Sequence, residues 1–531
     1  MTMWPDKAHR RTVIAASLLL LVAMVWLSRD FGFTWDERFQ QKYGEEIWDY
    51  MHGRLPRASF DTDEGNQYLY GGLVEVASVA AQHIIPTAET YVVRHAVNAV
   101  IGWAGILICG ITAGLLFGRR AGWIAAALLT VSPRYFGDAM NNSKDLPFAA
   151  MVMAVLGITL TIDWLRPRLT WSRAGWLALV IALAINIRPL GLALLLYTAG
   201  VIGLASLVNA VRGTEEDRWS RFAGNVGRLL TIAVVCIPAG TIFWPYAQAQ
   251  PYLRPLSAFV LITQLQWQGA FDVLFAGQNL TAGTLPASYV PTWVVISLPP
   301  VILVGFALSW LMVRRGLAQA AGWAGLIVFA AAPVVAAVVQ HATIYDGMRH
   351  LLFIVPPIVA LAGAGWSAVL DTRARVACAV LLMIGIVEPL VFQVRNHPNQ
   401  IVYFTPLMGG PKDAFARYDM DYWGNSMLQA VQWADHVARA SGIPLVVSGN
   451  PIQAVDADAA RFRSLMVVGR ANPSYHLDIR LMRGPSGSLR EFASRPDLLY
   501  KVTTADGTPL CVVIPGPAYQ SVADRLKPIF H

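Results

Sequence analysis

The chain has 531 residues, of which 55% are hydrophobic and only 14% are charged. This composition excludes an ordinary soluble protein of this length, because long apolar stretches indicate membrane spans. The net charge of +8 does not indicate nucleic-acid binding, since the Lys and Arg residues fall in short clusters between the apolar stretches, as topology signals do. The four cysteines show neither a disulfide framework nor a zinc-binding spacing.

Hydropathy predicts about eleven membrane-spanning helices, each judged against roughly 20 apolar residues per crossing. The predicted spans are 12–28, 92–117, 121–133, 146–163, 174–187, 189–210, 228–245, 291–312, 321–340, 350–369 and 375–394. No small-residue cleavage site follows the first apolar stretch, which favours an uncleaved span over a signal peptide. Residues 121–133 are short for a full crossing. Arg188 and Pro189 predict a turn between two short spans, because a proline disfavours helix at the preceding residue; one unbroken helix is the alternative.

The distribution of positive charge predicts the orientation. With a cytoplasmic N-terminus and alternating spans, every predicted inner loop carries Arg, as the positive-inside tendency requires. These residues are Arg119, Arg120, Arg166, Arg168, Arg173, Arg212, Arg218, Arg221, Arg228, Arg314, Arg315, Arg373 and Arg375. The outer face is then formed by insertions 29–91, 134–145, 246–290 and 341–349.

The first outer insertion carries two adjacent acids, Asp36 and Glu37, beside Trp35. Aromatic rings favour the headgroup level, and a carboxylate held there could deprotonate an acceptor hydroxyl while a second reactant stays in the lipid. Apolar residues recur at helical spacing from Asp36 to Met51, which predicts an amphipathic helix in the interface plane or packed on the protein. The alternative for the acids is structural, since acids suit the first turn of a helix.

The other predicted outer segments carry cations, against the positive-inside tendency. They include Arg94 and His95, Arg134, Lys144 beside Asp145, Arg188, and the run Tyr345-Asp346-Gly347-Met348-Arg349-His350. Ionisable groups at membrane depth are costly and often functional. A lipid phosphate would explain them, because Arg offers bidentate donors and Lys a point charge. The alternatives are snorkelling to headgroups and structural pairing with nearby acids.

The composition changes after Arg395. Residues 396–531 are more polar and contain no predicted span. Gly424–Ala440 reads as a helix, and 445–448, 465–468, 477–482 and 511–514 read as strands. We therefore divide the chain into a membrane domain, residues 1–395, and a small α/β domain, residues 396–531, which span parity places outside.

In this order, the segments resemble GT-C glycosyltransferases of the lipid-carrier-dependent protein mannosyltransferase and aminoarabinose transferase group. The residues that carry the resemblance are Trp35-Asp36-Glu37, Arg94, Ser132-Pro133-Arg134 through Phe148, and Tyr345 through His350, with His397-Pro398 through Tyr403 and Asp421-Tyr422-Trp423-Gly424 further on. The resemblance implies a polytopic, GT-C-like membrane domain. It also implies transfer of a sugar from a polyprenyl-phosphate carrier to a lipid, glycan or protein acceptor at the periplasmic face of a bacterial inner membrane.

The resemblance also suggests roles for the residues. Asp36 is the predicted general base, with Glu37 as the second catalytic acid, paired with Arg94. The predicted ligands of the donor phosphate are Arg94, Arg134, Lys144, Arg349 and His350. The predicted supporting residues are Asp145, Arg188, Tyr345 and Asp346. A single base predicts inversion at the anomeric carbon. We expect no cofactor to be required, although adjacent acids could hold a divalent cation.

Three other functions fit parts of the sequence. A transporter or lipid flippase would also have many spans, but would place charges near the bilayer midplane. A polysaccharide ligase would carry its active site in a late outer loop, and a scaffold would bind partners through the tail. The tail could recognise the acceptor, but we expect it mainly to cover the active site.

Overall fold

The computed structural model describes residues 7–62, 66–264 and 272–529, and the described chain is mainly helical. The α-helices are α1 (Lys7–Leu27), α2 (Trp35–Met51), α3 (Leu73–Ile84), α4 (Thr90–Phe117), α5 (Arg119–Thr130), α6 (Pro133–Asn141), α7 (Asp145–Leu160), α8 (Trp171–Ile185), α9 (Gly191–Arg212), α10 (Arg218–Ala239), α11 (Pro245–Gln248), α12 (Leu253–Gln264), α13 (Tyr289–Ser297), α14 (Pro300–Leu308), α15 (Leu317–Val339), α16 (Val355–Val369), α17 (Arg375–Arg395), α18 (Gly410–Ala414), α19 (Met427–Ser441), α20 (Ile452–Ala459), α21 (Ser486–Ala493) and α22 (Ala523–Leu526). The strands are β1 (Asp272–Phe275), β2 (Gln278–Thr281), β3 (Leu445–Asn450), β4 (Leu465–Val467), β5 (Leu477–Leu481), β6 (Tyr500–Thr503) and β7 (Pro509–Pro515).

Within the described residues, seven helices are long and apolar enough to cross a membrane. They are Arg11–Asp30, Thr90–Phe117, Gly191–Arg212, Arg218–Ala239, Leu317–Val339, Arg349–Val369 and Arg375–Arg395. The count rises to nine if two bent helix pairs, α6 with α7 and α13 with Pro300–Arg315, are each one span. The predicted fold class, a multi-pass helical membrane protein with a small α/β domain, is therefore confirmed.

The predicted number of about eleven spans is higher than this count because two predicted spans fall on short helices. Residues 121–133 correspond to α5, which has 12 residues, and 174–187 correspond to α8, which has 15. The predicted turn at Arg188 is confirmed, since α8 ends at Ile185 and α9 begins at Gly191. The predicted insertion 246–290 contains α11, α12 and the β1–β2 hairpin, while its residues 265–271 lie outside the described residues.

Small residues let the central helices pack closely. A Cβ atom on Gly122 of α5 would lie 2.6 Å from the carbonyl oxygen of Gly110 in α4, and one on Gly102 would lie 2.5 Å from the side chain of Ala139. Such contacts replace the hydrophobic driving force that is missing between helices in lipid. The most enclosed of these candidate spans is Arg349–Val369, whose most apolar stretch is 94% buried. A 3₁₀ segment, Arg349–Ile354, begins this span.

The C-terminal domain contains a five-stranded mixed sheet in the order β4-β3-β5-β7-β6. Strand β3 is parallel to β4 and β5, and β7 is antiparallel to β5 and β6. The four predicted strands correspond to β3, β4, β5 and β7, and the predicted helix corresponds to α19; β6, α20 and α21 were not predicted.

This domain also binds the segment of the chain that follows the first span. The side chain of Phe33 is buried in the core of the C-terminal domain. The backbone N–H of Gly32 donates to Asn425 Oδ1 (3.0 Å), and that of Phe33 donates to Asp458 Oδ1 (3.1 Å). A Cβ atom on Gly32 would lie 2.3 Å from the carbonyl oxygen of Asn425. The start of α2 is therefore fixed by the C-terminal domain. Ile401, Val402, Phe404 and several of residues 418–423 instead belong to the main hydrophobic core, together with the helices of the membrane domain. The division at residue 395 stays a prediction.

Candidate active site

A cavity of about 370 Å³ lies where the start of α2, the start of α7, the α8–α9 turn and the loop before Arg349 meet the C-terminal domain. Eight of the predicted site residues line it, namely Asp36, Lys144, Asp145, Arg188, Tyr345, Asp346, Arg349 and His350. They come from distant parts of the sequence, since Asp36 and Arg349 are 313 positions apart. The structure thus brings these residues to one side of the helix bundle.

Asp36 is the second residue of α2, and its side chain is 31% exposed. Arg349 Nη1 donates a 2.9 Å hydrogen bond to Asp36 Oδ2. Burial raises the pKa of Asp36, but the charges of Arg349 and Lys144 outweigh it and hold the pKa below its usual value. The carboxylate is therefore ionised at neutral pH and able to accept a proton.

Arg349 is the buried centre of the site, with 7% of its side chain exposed. It pairs with Asp36 and also with Asp346, whose Oδ2 lies 3.1 Å from Arg349 Nη2. The guanidinium lies 4.9 Å from the ring centre of Tyr345 and 5.0 Å from that of Trp423. Asp346 and Gly347 have φ angles of 57° and 70°, a left-handed turn that Asp and Gly tolerate. This turn directs both Asp346 and Arg349 to the site.

Lys144 precedes α7 and differs from the arginines in its contacts. Its Nζ lies 3.2 Å from Gln67 Oε1 and 4.4 Å from the ring centre of Tyr70, both neutral groups. Arg188 forms an ion pair with Asp145, which also accepts a hydrogen bond from Asn142. Because its hydrogen-bonding partner is neutral, the charge of Lys144 is the one most available to an anionic ligand.

His350 contacts the rest of the site through its ring and forms no ion pair among the described residues. Its imidazole packs edge-on against Tyr345, with 4.7 Å between ring centres. Its buried Nε2 has no hydrogen-bond partner within the described residues. His350 therefore offers an unused nitrogen at the cavity wall.

Three predicted site residues do not line the cavity. Glu37 is 2% exposed and accepts hydrogen bonds from the Thr34 backbone N–H (2.8 Å) and from the Thr34 hydroxyl, as the third residue of a capped helix does. Its other oxygen lies 2.9 Å from His95 Nε2. These contacts occupy both carboxylate oxygens, so Glu37 positions the first turn of α2.

Arg94 lies behind the cavity with 2% exposure. It pairs with Glu75 of α3 at 2.7 Å and contacts Gln41 and Ser143. The predicted ion pair between Glu37 and Arg94 is therefore wrong. Arg94 pairs instead with Glu75, which lies on α3, a helix that was not predicted. Through Ser143, this buried pair supports the segment that carries Lys144.

Arg134 lines a smaller cavity with Ser132, Asp138 and Ser297, and Arg349 also belongs to its wall. Its Nε donates to the carbonyl oxygen of Tyr403 (3.0 Å), and its guanidinium lies over the ring of Phe404. The structure therefore places Arg134, on α6, against the segment after α17. Arg134 does not line the main cavity, but Arg349 lines both cavities.

Several cavity residues were not predicted as site residues. They are Trp35, Phe39, Gln40, Gln67, Tyr70, Asn142, Trp423, Gln453 and Arg483. Trp35, Asn142 and Trp423 belong to the segments that carried the family resemblance, which was the available signal. Gln453 and Arg483 come from the C-terminal domain, where the sequence shows no motif.

A second cavity, of about 440 Å³, adjoins the first and is mainly apolar. The two cavities share Tyr70, Arg188 and His350 in their walls. Helices α9 and α15 provide a large part of the apolar wall, through residues such as Ala193, Leu194 and Ala336. A ligand with a polar end and a long apolar part can therefore occupy both cavities at once.

The described residues contain no group of three or more His, Cys, Asp or Glu side chains that could hold a metal ion. The cavity presents four permanent cations, Lys144, Arg188, Arg349 and Arg483, against the carboxylates of Asp36, Asp145 and Asp346. The balance favours an anionic ligand bound by Lys and Arg.

No protein-family model matches the sequence, and no curated protein matches it significantly. Solved structures do match the fold. ArnT from Cupriavidus metallidurans, bound to undecaprenyl phosphate, matches with a TM-score of 0.50 and 16% identity, over 95% of this chain and 98% of that one. The apo state of the same ArnT has a TM-score of 0.48 and 16% identity, over 96% and 99% of the two chains. The oligosaccharyltransferase AglB from Archaeoglobus fulgidus, in complex with an inhibitory peptide and a dolichol-phosphate, has a TM-score of 0.44 and 14% identity, over 88% and 69%.

At 16% identity, the match to ArnT with undecaprenyl phosphate concerns the fold alone. It extends over nearly the whole of both chains, including the C-terminal domain. The predicted resemblance to GT-C glycosyltransferases of the aminoarabinose transferase group is thereby confirmed for the architecture.

Proposed function

We propose that this protein is a membrane glycosyltransferase that moves a sugar from a polyprenyl-phosphate carrier to an acceptor. The main support for this proposal is that two cavities meet at Tyr70, Arg188 and His350. One cavity is lined by cations, and the other is mainly apolar. A polyprenyl-phosphate sugar has the matching parts, a charged phosphate and a long hydrocarbon chain. The fold shared with ArnT, which was solved with undecaprenyl phosphate bound, supports this assignment.

The phosphate of the donor would bind to Lys144 and Arg349. Lys144 has a neutral hydrogen-bonding partner, so its charge is available. Arg349 is shared by Asp36 and Asp346, and a phosphate reaching it would compete with Asp36 for the guanidinium. Bidentate donors of Arg suit phosphate oxygens. Both cations would then stabilise the negative charge that develops on the departing carrier phosphate.

Asp36 would act as the general base. It is ionised, partly exposed to the cavity, and held at the start of α2 by the capping contacts of Glu37. Release from Arg349 by the donor phosphate would raise the basicity of Asp36 at the moment when both substrates are present. The carboxylate would take the proton of the acceptor hydroxyl, whose oxygen then attacks the anomeric carbon as the carrier phosphate leaves. One base without a covalent intermediate gives inversion.

The remaining predicted residues would shape the site. The pair of Asp145 and Arg188 would orient the donor where the two cavities meet. Glu75 and Arg94 would support the segment of Lys144 from behind. We propose further that the site faces the periplasm in a bacterial inner membrane, with the N-terminus in the cytoplasm, because every predicted inner loop carries Arg.

Purified protein in proteoliposomes tests the proposal with a polyprenyl-phosphate sugar labelled in the sugar. A transferase releases unlabelled carrier phosphate and passes the label to an acceptor from a membrane extract. Movement of intact labelled lipid between leaflets, without release of carrier phosphate, would instead establish a flippase. Transporters bind their substrates near the bilayer midplane. The charged cavity instead adjoins the start of α2, which lies outside the candidate spans, and this argues against that outcome.

A further inference from the structure

Arg483 is a basic residue of the C-terminal domain that reaches the proposed active site. It follows β5, its side chain is 15% exposed, and it lines the main cavity. Its Nη2 donates to Asp346 Oδ1 at 2.7 Å, and its Nη1 donates to the carbonyl oxygen of Tyr422 at 2.8 Å. Its guanidinium also lies 4.7 Å from the ring centre of Trp35, the residue before Asp36.

These contacts continue into a chain of alternating charges. Arg483 pairs with Asp346, Asp346 pairs with Arg349, and Arg349 pairs with Asp36. Asp346 is 1% exposed, so its charge depends on both arginines for compensation. While Arg483 also pairs with Asp346, Arg349 can pair with both Asp346 and Asp36. Without Arg483, Asp346 would depend on Arg349 alone and would draw it away from Asp36.

From this arrangement we infer that Arg483 is a positioning residue, through which the C-terminal domain keeps Arg349 available to Asp36 and to the donor phosphate. The inference rests on the proposed function and assigns the domain a part in the chemistry beyond covering the site. Because Asp346 is satisfied from the side of Arg483, Arg349 can change partners between Asp36 and a phosphate without leaving a buried carboxylate uncompensated.

Several other charged or titratable groups line the cavity with Asp36, and any effect of Arg483 must be separated from theirs. Lys144 and Asp145 come from the start of α7 and the residue before it, and Arg188 comes from the α8–α9 turn. The segment before α16 contributes Tyr345, Asp346, Arg349 and His350. Arg483 is the cation that the C-terminal domain adds to this set within the described residues. Its loss would let Asp346 draw Arg349 away from Asp36. Asp36 would then have less positive charge nearby, which moves the acid limb of activity to higher pH.

The test compares Arg483→Gln with Arg480→Gln in the full-length protein. Arg480 is a matched control, since it lies on β5 three residues earlier, is 19% exposed, and pairs with Asp478 instead of a cavity residue. We expect Arg483→Gln to raise the donor KM about tenfold, because Arg349, drawn towards Asp346, would lose about one charge-assisted contact with the donor phosphate. The acid limb of kcat/KM should also move to higher pH. Arg480→Gln should change neither value, and Arg483→Lys should restore the position of the acid limb.

A double-mutant cycle with Asp346→Asn completes the test, because Asn tolerates the left-handed conformation at this position. If Arg483 acts through Asp346, Arg483→Gln has little further effect in the Asp346→Asn protein. Full additivity, or a loss of kcat with an unmoved pH profile and no rescue by Lys, would overturn the inference. Wild-type protein that releases no carrier phosphate would instead refute the proposed function. In that case, binding of undecaprenyl phosphate to the same variants still tests whether Arg483 keeps Arg349 available.

Discussion

Replacing Lys144 with Gln tests the donor phosphate site with little disturbance of the fold. Lys144 contacts Gln67 and Tyr70 and forms no ion pair among the described residues, so its removal leaves no buried carboxylate there without its partner. A charge-assisted hydrogen bond contributes about 1.5–3 kcal/mol, and partial exposure favours the lower end. About 1.4 kcal/mol corresponds to a factor of ten, and we therefore expect the donor KM to rise about tenfold. Loss of Lys144 would also remove the excess positive charge of the cavity.

The assay is steady-state release of carrier phosphate at varied donor concentration, together with direct binding of undecaprenyl phosphate. Lys42→Gln is the matched control, because Lys42 lies on the outer side of α2 with 63% exposure and pairs only weakly with Glu46 at 3.9 Å. The control should behave as wild type. An unchanged donor KM and an unchanged affinity for undecaprenyl phosphate in folded Lys144→Gln protein would refute the assignment of Lys144 to the phosphate.

Three further predictions follow from the same structure. The pKa of Asp36 is lowered, so its base form persists as the pH falls. kcat/KM should therefore stay level from about pH 7 to 5 and decline only below the usual Asp pKa of about 4. A decline centred near about pH 6 would indicate another base. Arg94→Ala leaves Glu75 buried without its partner and should lower the free energy of unfolding by about 3–5 kcal/mol; thermal unfolding in detergent measures this, and a change below about 1 kcal/mol would contradict the buried pair. Ala193→Trp narrows the apolar cavity and should raise the KM of a long-chain donor while sparing a short-chain one; equal effects on both would show that the carrier chain lies elsewhere.

The sequence predicted the architecture well where the physical signal was local. Apolar stretches of span length and the helical stripe of α2 follow directly from the spacing of residues. The convergence of Asp36, Lys144 and Arg349 followed from span parity, which placed their segments on one face. Helix α5 was assigned a span because its residues are apolar, although 12 residues are short for a crossing.

The ion-pair and hydrogen-bond partners of the site residues could not be predicted, because they depend on tertiary packing. Glu37 and Arg94 are both near the outer ends of their segments, and pairing them was reasonable without knowledge of α3. In the structure, Glu37 instead contacts Thr34 and His95, and Arg94 forms an ion pair with Glu75. Arg483 likewise follows a predicted strand in an otherwise ordinary loop, and only the docking of the C-terminal domain brings it to Asp346.

The most direct test of the central claim measures carrier phosphate released from a polyprenyl-phosphate sugar by wild-type protein and by Asp36→Asn. The substitution preserves the size of the side chain and removes its ability to accept a proton. We predict release by the wild type, a loss of about 100- to 10,000-fold in kcat for the variant, and retained binding of undecaprenyl phosphate. Turnover of Asp36→Asn at a rate near that of the wild type would contradict the account.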